Sequence, residues 1–366
     1  MNLLLTLGTS AIIFSTCFTV QALESPNGFI VWSEGSGCER ELKFNRLERG
    51  NLGPKQIAVE LDNGVDIGVK ISFDGKWIAF GRTIGFFSGK YGKCDCMAFD
   101  KFDIYIARVD GALPAKPIKI GRGYWPAWGD DSHKEIKTLY FTVFEKKAFY
   151  KTTIRSDGSF STPEVHVKWP PKIELSTMEI SPNGRYIAHG RIMMKIWDIQ
   201  EGKEIPILPK SGGYFPNWGP RSKYLVWRSG FVCKIENGRA NRVGDPKIGG
   251  RSGLDGYWPV ISNDVEYDKG KLWIIGQNYG LRNRAYPLVF KRIDISDGQW
   301  IVGKSTEVGK GTSADIHISG TVTKATAPRD KLIPDNGILL LNVYSYTWST
   351  QSGYKSDEIQ LGLLQV

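Results

Sequence analysis

The fold class that the 366-residue chain predicts is all-β: a four-stranded unit repeated around an axis as a single β-propeller. Three observations predict it. The tetrapeptide Gly-Tyr-(Trp or Phe)-Pro occurs at residues 123–126, 213–216 and 256–259. Each copy runs into a short alternating segment that ends on Gly or Ser. Six such segments align, and the stronger ones continue through a Gly-containing turn into a second strand-like run.

The final Gly or Ser of each segment serves as an anchor: Ser72, Gly129, Ser181, Gly219, Ser262 and Ser319. The position before the anchor reads Ile71, Trp128, Ile180, Trp218, Ile261 and Ile318. Two residues earlier stand Val69, Pro126, Met178, Pro216, Pro259 and Ile316, again apolar or Pro. Between these columns the position is mixed: Lys70, Ala127, Glu179, Asn217, Val260 and His317. A period of two is the signature of a strand.

After the anchor, Phe73-Asp74-Gly75-Lys76 leads into Trp77-Ile78-Ala79-Phe80, and Pro182-Asn183-Gly184-Arg185 leads into Tyr186-Ile187-Ala188-His189. Asp-Gly and Asn-Gly suit tight turns because they tolerate positive φ. Residues 220–223 before Tyr224-Leu225-Val226-Trp227 form a looser version, residues 263–271 a longer one, and the last copy is degenerate. Anchors spaced 38 to 57 residues apart match a propeller blade.

Ser-Pro-Asn-Gly-Arg-Tyr-Ile-Ala at 181–188 and Ser-Phe-Asp-Gly-Lys-Trp-Ile-Ala-Phe at 72–80 resemble the WD40-like repeat of TolB-type propellers. Pro126-Ala127-Trp128 and Pro216-Asn217-Trp218 are similar to the opening half of that repeat. The resemblance covers about residues 66–320 in six imperfect copies. It implies a propeller and leaves the function open, since one scaffold hosts many roles. The family's best-known member is a periplasmic protein-interaction module whose separate N-terminal α/β domain has no room here.

Composition agrees with a propeller. The 42 Gly and 18 Pro punctuate the chain as turns, and aromatics at 12% supply material for packed blade faces. Strand-like runs at 29–32, 41–47 and 56–61 precede the first anchor, and others at 337–345 and 358–366 follow the last. Six anchors favour six blades, with the early strands completing or covering the last one. Seven is the alternative, because three early strands plus one late strand make a further blade.

Residues 3–20 are largely apolar, and Val20-Gln21-Ala22 ends like a small-x-small cleavage site, so residues 1–22 read as a signal peptide and 23–366 as the propeller. Export to the periplasm or outside the cell follows. No other segment is long and apolar enough to span a bilayer. Cleavage leaves Cys38, Cys94, Cys96 and Cys233. An exported chain permits disulfides, and a bridge from Cys38 to Cys94 or Cys96 is preferred over a metal at the Cys-x-Cys pair. Cys233 reads as a free buried thiol.

The formal net charge is +10, scattered over short clusters such as Lys146-Lys147 and Lys291-Arg292. A solvated basic surface accounts for this, and so does steering toward acidic partners. No nucleic-acid-binding motif is present, and no phosphate loop, His-Glu-x-x-His or Gly-x-Ser-x-Gly occurs.

Two columns carry candidate binding residues. Lys70, Glu179, Asn217 and His317 lie on first strands, which border the central channel of a propeller. Tyr124, Trp125, Tyr214, Phe215, Tyr257 and Trp258 stand just before strands. There an aromatic before Pro reads as an extended entry packed between blades, or as a ring at the channel rim that stacks on a sugar or anchors a peptide. Some TolB-like propellers, the oligogalacturonate lyases among them, resemble this layout but hold a catalytic metal with several histidines. This chain has one His in that column, so neither a metal nor a cofactor is implied. The expected function is a non-catalytic module that binds a protein or an anionic glycan or envelope polymer. The alternative is a lyase or hydrolase acting on an acidic polysaccharide at the channel mouth.

Overall fold

The computed structural model describes residues 24–36, 39–60, 64–83, 101–170, 177–190, 193–208, 213, 215–227, 231–243, 260–261, 271–277, 287–295, 301–302, 306–323, 338–339 and 364–365. The 1–22 segment, Cys38, Cys94, Cys96, Tyr214, Tyr257 and Trp258 lie outside them. The chain divides into two units. The smaller, Met1–Ser25 with Val322–Val366, contains an antiparallel pairing of Ile338–Leu339 with Leu364–Gln365. The larger, Pro26–Thr321, carries the repeats.

Six sheets make six blades, and no α-helix occurs among the described residues. Blade 1 runs outward from Asp66–Ile71 through Trp77–Thr83 and Phe102–Arg108 to Ile118–Arg122. Blade 2 comprises Tyr124–Trp128, Lys137–Val143, Ala148–Ile154 and Glu164–Lys168. Blade 3 comprises Thr177–Ile180, Tyr186–Gly190, Met194–Asp198 and Lys203–Ile205. Blade 4 begins at Asn217–Trp218, and a fifth strand, Ile207–Leu208, lies parallel along its outermost one, Arg239–Arg242. Blade 5 begins at Val260–Ile261. In blade 6 the inner strand is Thr312–Thr323, and the next two, Glu24–Ser36 and Glu39–Glu48, come from the other end of the sequence. The late strand that carries the sixth anchor is thus the inner strand of the early strands' blade, so the count is six.

The ring closes because every neighbouring pair of blades shares a buried core. Phe44 of blade 6 and Phe80 of blade 1 belong to one buried cluster, as do Trp77 of blade 1 and Trp128 of blade 2. Phe149 and Ile180 share a cluster between blades 2 and 3, Ile196 and Trp218 one between blades 3 and 4, and Val226 and Leu272 one between blades 4 and 5. Phe290 of blade 5 and Trp32 of blade 6 complete the circuit. Fully burying a side chain of this size contributes about 1.5–3 kcal/mol. The repeated apolar columns therefore secure the ring as well as each sheet.

The anchors have a chemical reason. Ser72 Oγ donates to Asp74 Oδ1 (2.7 Å) and accepts from the Trp77 N–H (3.0 Å). Ser181 repeats this with Asn183 (2.6 Å) and Tyr186 (2.8 Å). Gly75 and Gly184 each hold φ of 70° in these turns. The Trp before the anchor stitches blades together. Trp128 Nε1 donates to the Lys70 carbonyl (3.0 Å), and Trp218 Nε1 donates to the Glu179 carbonyl (3.2 Å). The turns also interlock, since the Phe73 N–H donates to Ser132 Oγ and the Asn183 N–H to Ser222 Oγ, both at 2.9 Å.

The Gly-Tyr-(Trp or Phe)-Pro motif departs from expectation. Trp125 and Phe215 have φ of 46° and 55°, so the residue before Pro is left-handed and the entry is not extended. In blade 2 the pairing jumps from Tyr140↔Ala127 to Thr142↔Tyr124, so Trp125 and Pro126 together oppose one residue. This is a β-bulge. Blade 1 has the same bulge, between Ile67↔Gly81 and Lys70↔Ala79, with Gly68 at φ 68° in the place of Trp125. Blade 3 lacks the motif and pairs without interruption from Thr177↔Gly190 to Ile180↔Ile187. The Gly that opens the motif is required by crowding. A Cβ on Gly123 would stand 2.5 Å from Phe141 Cδ2, and one on Gly213 would stand 2.0 Å from Trp227 Cδ1.

Candidate functional site

Inner strands bring residues from all six blades to a cavity of about 40 Å³. Its floor is polar. Lys70 of blade 1 donates from Nζ to Glu179 Oε1 of blade 3 (2.6 Å) and to Asn217 Oδ1 of blade 4 (2.7 Å). Blades 1 and 4 are opposite in a ring of six, so the Lys70 side chain crosses the axis. Glu179 Oε2 accepts from the Trp218 backbone N–H (3.0 Å). Burial pushes the Glu179 carboxyl above its ordinary pKa, and the Lys70 ammonium opposes that rise. Three members of the mixed column therefore form one hydrogen-bonded unit.

Around the floor stand Trp125, Pro126, Phe215 and Pro216, from the two described copies of the motif. Trp125 is half-buried and packs edge-on to Tyr124 (4.7 Å between centroids) and tilted against Phe144 (5.7 Å). Tyr124 itself is buried against Phe102 and does not line the cavity. The bulge explains the difference. In blade 2 the extra residue sets Trp125 at the cavity lining while the preceding Tyr124 is buried in the sheet, and Phe215 lines the same cavity from blade 4. The Phe215 backbone is held by its N–H, which donates to Thr177 Oγ1 (2.7 Å).

His317 lies elsewhere. Its ring packs on Phe29 (5.3 Å) and against the Gly75 turn, and it is not among the residues lining the cavity. Nδ1 is buried without a hydrogen-bond partner, and burial pushes the imidazole pKa down to about 4. The carboxylate that sequence reasoning missed is Asp315, on the same strand. Its Oδ2 accepts from the Ile71 N–H (2.7 Å) and its Oδ1 from the Ile316 N–H (2.8 Å). The first bond matches the one from Trp218 to Glu179, since Ile71 and Trp218 both precede an anchor. Burial, only partly offset by Lys70, pushes Asp315 up to about 7. An acid in the column otherwise held by Gly68, Trp125, Thr177 and Phe215 was the available signal.

At the turn end of the blades, Asp130 has a buried Oδ1 without a partner, and burial raises its pKa to about 6. Cys233 is a free buried thiol whose pKa burial raises to about 12. Among the described residues no group of three His, Cys, Asp or Glu is placed to hold a metal ion. No helix among them is long and apolar enough to cross a membrane.

No family model matches the chain, and no curated protein matches it. Solved structures do. A nidogen/laminin complex is similar at 11% identity and a TM-score of 0.46, over 80% of this chain and 99% of the other. A candidate TolB from Agrobacterium tumefaciens is similar at 13% identity and 0.43, over 80% and 97%. A candidate 6-phosphogluconolactonase from Bacteroides uniformis is similar at 11% and 0.41, over 78% and 84%. At such identities the likeness concerns fold alone. The chain is a six-bladed β-propeller, and a TolB-type propeller is among the structures it is similar to.

Proposed function

We propose that this chain is an exported, non-catalytic binding module that offers one end of its propeller to a protein or an anionic polymer. The observation that carries the reading is the state of the polar groups at the channel. Each oxygen of Glu179 and of Asp315 already accepts a hydrogen bond, and Lys70 is clamped between two acceptors. Groups held in this way act as a brace across the ring; a general acid or base needs a lone pair or proton aimed at a substrate. The cavity volume of about 40 Å³ supports the same view, because pockets that enclose a small substrate measure about 300–1,000 Å³. The apolar 3–20 segment supports export, and the net charge of +10 favours an acidic partner.

The test has two arms. Immobilised protein is exposed to envelope and medium fractions and to polyuronides, and stoichiometric, saturable retention is measured. In parallel, polyuronides are incubated with the protein and followed for new chain ends. Retention without turnover is expected, and catalytic turnover overturns the reading.

A further inference from the structure

We propose that the channel mouth receives the carboxylate of an acidic side chain presented by a partner protein. The proposal rests on the binding-module reading and assigns its site. It begins with an anomaly of the backbone. Blade 1 makes its bulge with Gly68, which takes φ of 68° without strain. Blade 2 makes the same bulge with Trp125 at φ 46°, and Phe215 before the inner strand of blade 4 stands at φ 55°, where a side chain is unfavourable. Local folding is better served by Gly, so the rings are retained for what they do at the cavity they line.

The floor sets the chemistry. Among the described residues, Lys70 uses two of its three N–H donors, and the Asn217 amide accepts through Oδ1 while its N–H₂ makes no bond. The Glu179 oxygens are each already engaged. The capacity left open at Lys70 and Asn217 is that of donors, which suits a carboxylate. The walls, Trp125, Pro126, Phe215 and Pro216, suit the methylenes that carry it. A cavity of about 40 Å³ has room for the tip of a side chain and does not enclose a pyranose ring. The net charge of +10 steers an acidic surface toward the protein.

The experiment titrates the full chain with three probes by ligand-observed NMR: N-acetylglutamate N-methylamide, N-acetyllysine N-methylamide and glucuronate. The glutamate probe is expected to bind saturably and at least about ten-fold more tightly than the others, a tenfold step in dissociation constant. Asn217→Asp keeps the acceptor for Lys70 and removes the open donors, so it should weaken that binding about ten-fold or more. Phe215→Gly should weaken it as well, while the unfolding midpoint holds or rises because strain is relieved. If this variant does not fold, Asn217→Asp alone decides the matter. No saturable binding of the glutamate probe overturns the proposal, as does an unchanged affinity in Asn217→Asp or a preference for the lysine probe. A preference for glucuronate overturns it in favour of a glycan. Any of these leaves partner retention through another surface standing, whereas polyuronide turnover removes the binding-only reading itself.

Discussion

Asp315→Asn should change how the stability of the propeller depends on pH. Asp315 is buried at the seam between blades 6 and 1, and its carboxyl pKa is raised from 3.8 to about 7. Between those values the folded chain holds a proton that the unfolded chain has released. Stability from this group is therefore greatest below pH 4 and falls as pH rises toward 7, after which the penalty is constant. Roughly three pKa units at 1.36 kcal/mol each make that penalty about 4 kcal/mol. Asn cannot ionise, so the variant should lose this slope. In exchange it cannot accept from both the Ile71 and Ile316 N–H groups, and an unsatisfied buried donor costs about 1–3 kcal/mol at every pH. Urea unfolding of both proteins at pH 4, 5, 6, 7 and 8 separates the two effects. The variant should be the less stable at pH 4 and close the gap, or reverse it, by pH 8. Parallel pH profiles refute the assignment of a raised pKa to Asp315, and so does a gap that widens with pH.

The remaining predictions concern parts of the fold with clear partners. Gly123→Ala and Gly213→Ala should each lower the unfolding midpoint by the equivalent of about 1–3 kcal/mol, because the new methyl meets Phe141 or Trp227. Gly111→Ala, whose Cβ has nothing within 4 Å, is the neutral control. Asp66→Ala should cost about 3–5 kcal/mol in a denaturant melt, because it removes the carboxylate that offsets the charge of buried Arg82, which donates to Asp66 from Nε at 2.6 Å and from Nη2 at 2.8 Å. His317→Gln should make the fold less sensitive to acid. With the imidazole lowered from 6.5 to about 4, stability is lost as pH falls between those values, by roughly 3 kcal/mol at 1.36 per unit. Thermal melts of both proteins at pH 4.5 and 7.5 read the difference.

Much of the fold was legible because each repeat states its local chemistry in side chains of fixed role. The anchor Ser, the Asx-Gly turn and the Trp before the anchor each make a bond that a neighbouring position demands. The mixed column put Lys70, Glu179 and Asn217 on first strands that border the channel, since a strand turns every second residue to one face, and the three do meet there. It misled at His317, whose ring turns to the Gly75 turn and Phe29 instead of the cavity. Alternation fixes the face of a strand and leaves the height along the axis undetermined, and height decides which side chains meet. The bulge was illegible for a related reason. Gly68, Trp125 and Phe215 share a left-handed backbone although only one is the residue type that signals it.

The brace at the axis shows why a charged group belongs in the middle of this ring. Apolar packing joins each blade only to its neighbours, as the shared cores do. Lys70 instead joins blade 1 to blades 3 and 4 through two bonds of 2.6 and 2.7 Å, a reach for which a long flexible cation is suited. A buried ion pair contributes little net stability compared with apolar packing, yet breaking it by removing one partner is costly. Its effect is thus on geometry. It holds Asn217 and Glu179 in fixed places at the cavity, and left-handed backbone positions hold Trp125 and Phe215 beside them. The two devices are independent in sequence but converge on one small cavity, which is why the channel mouth, and not the seams between blades, carries the functional reading.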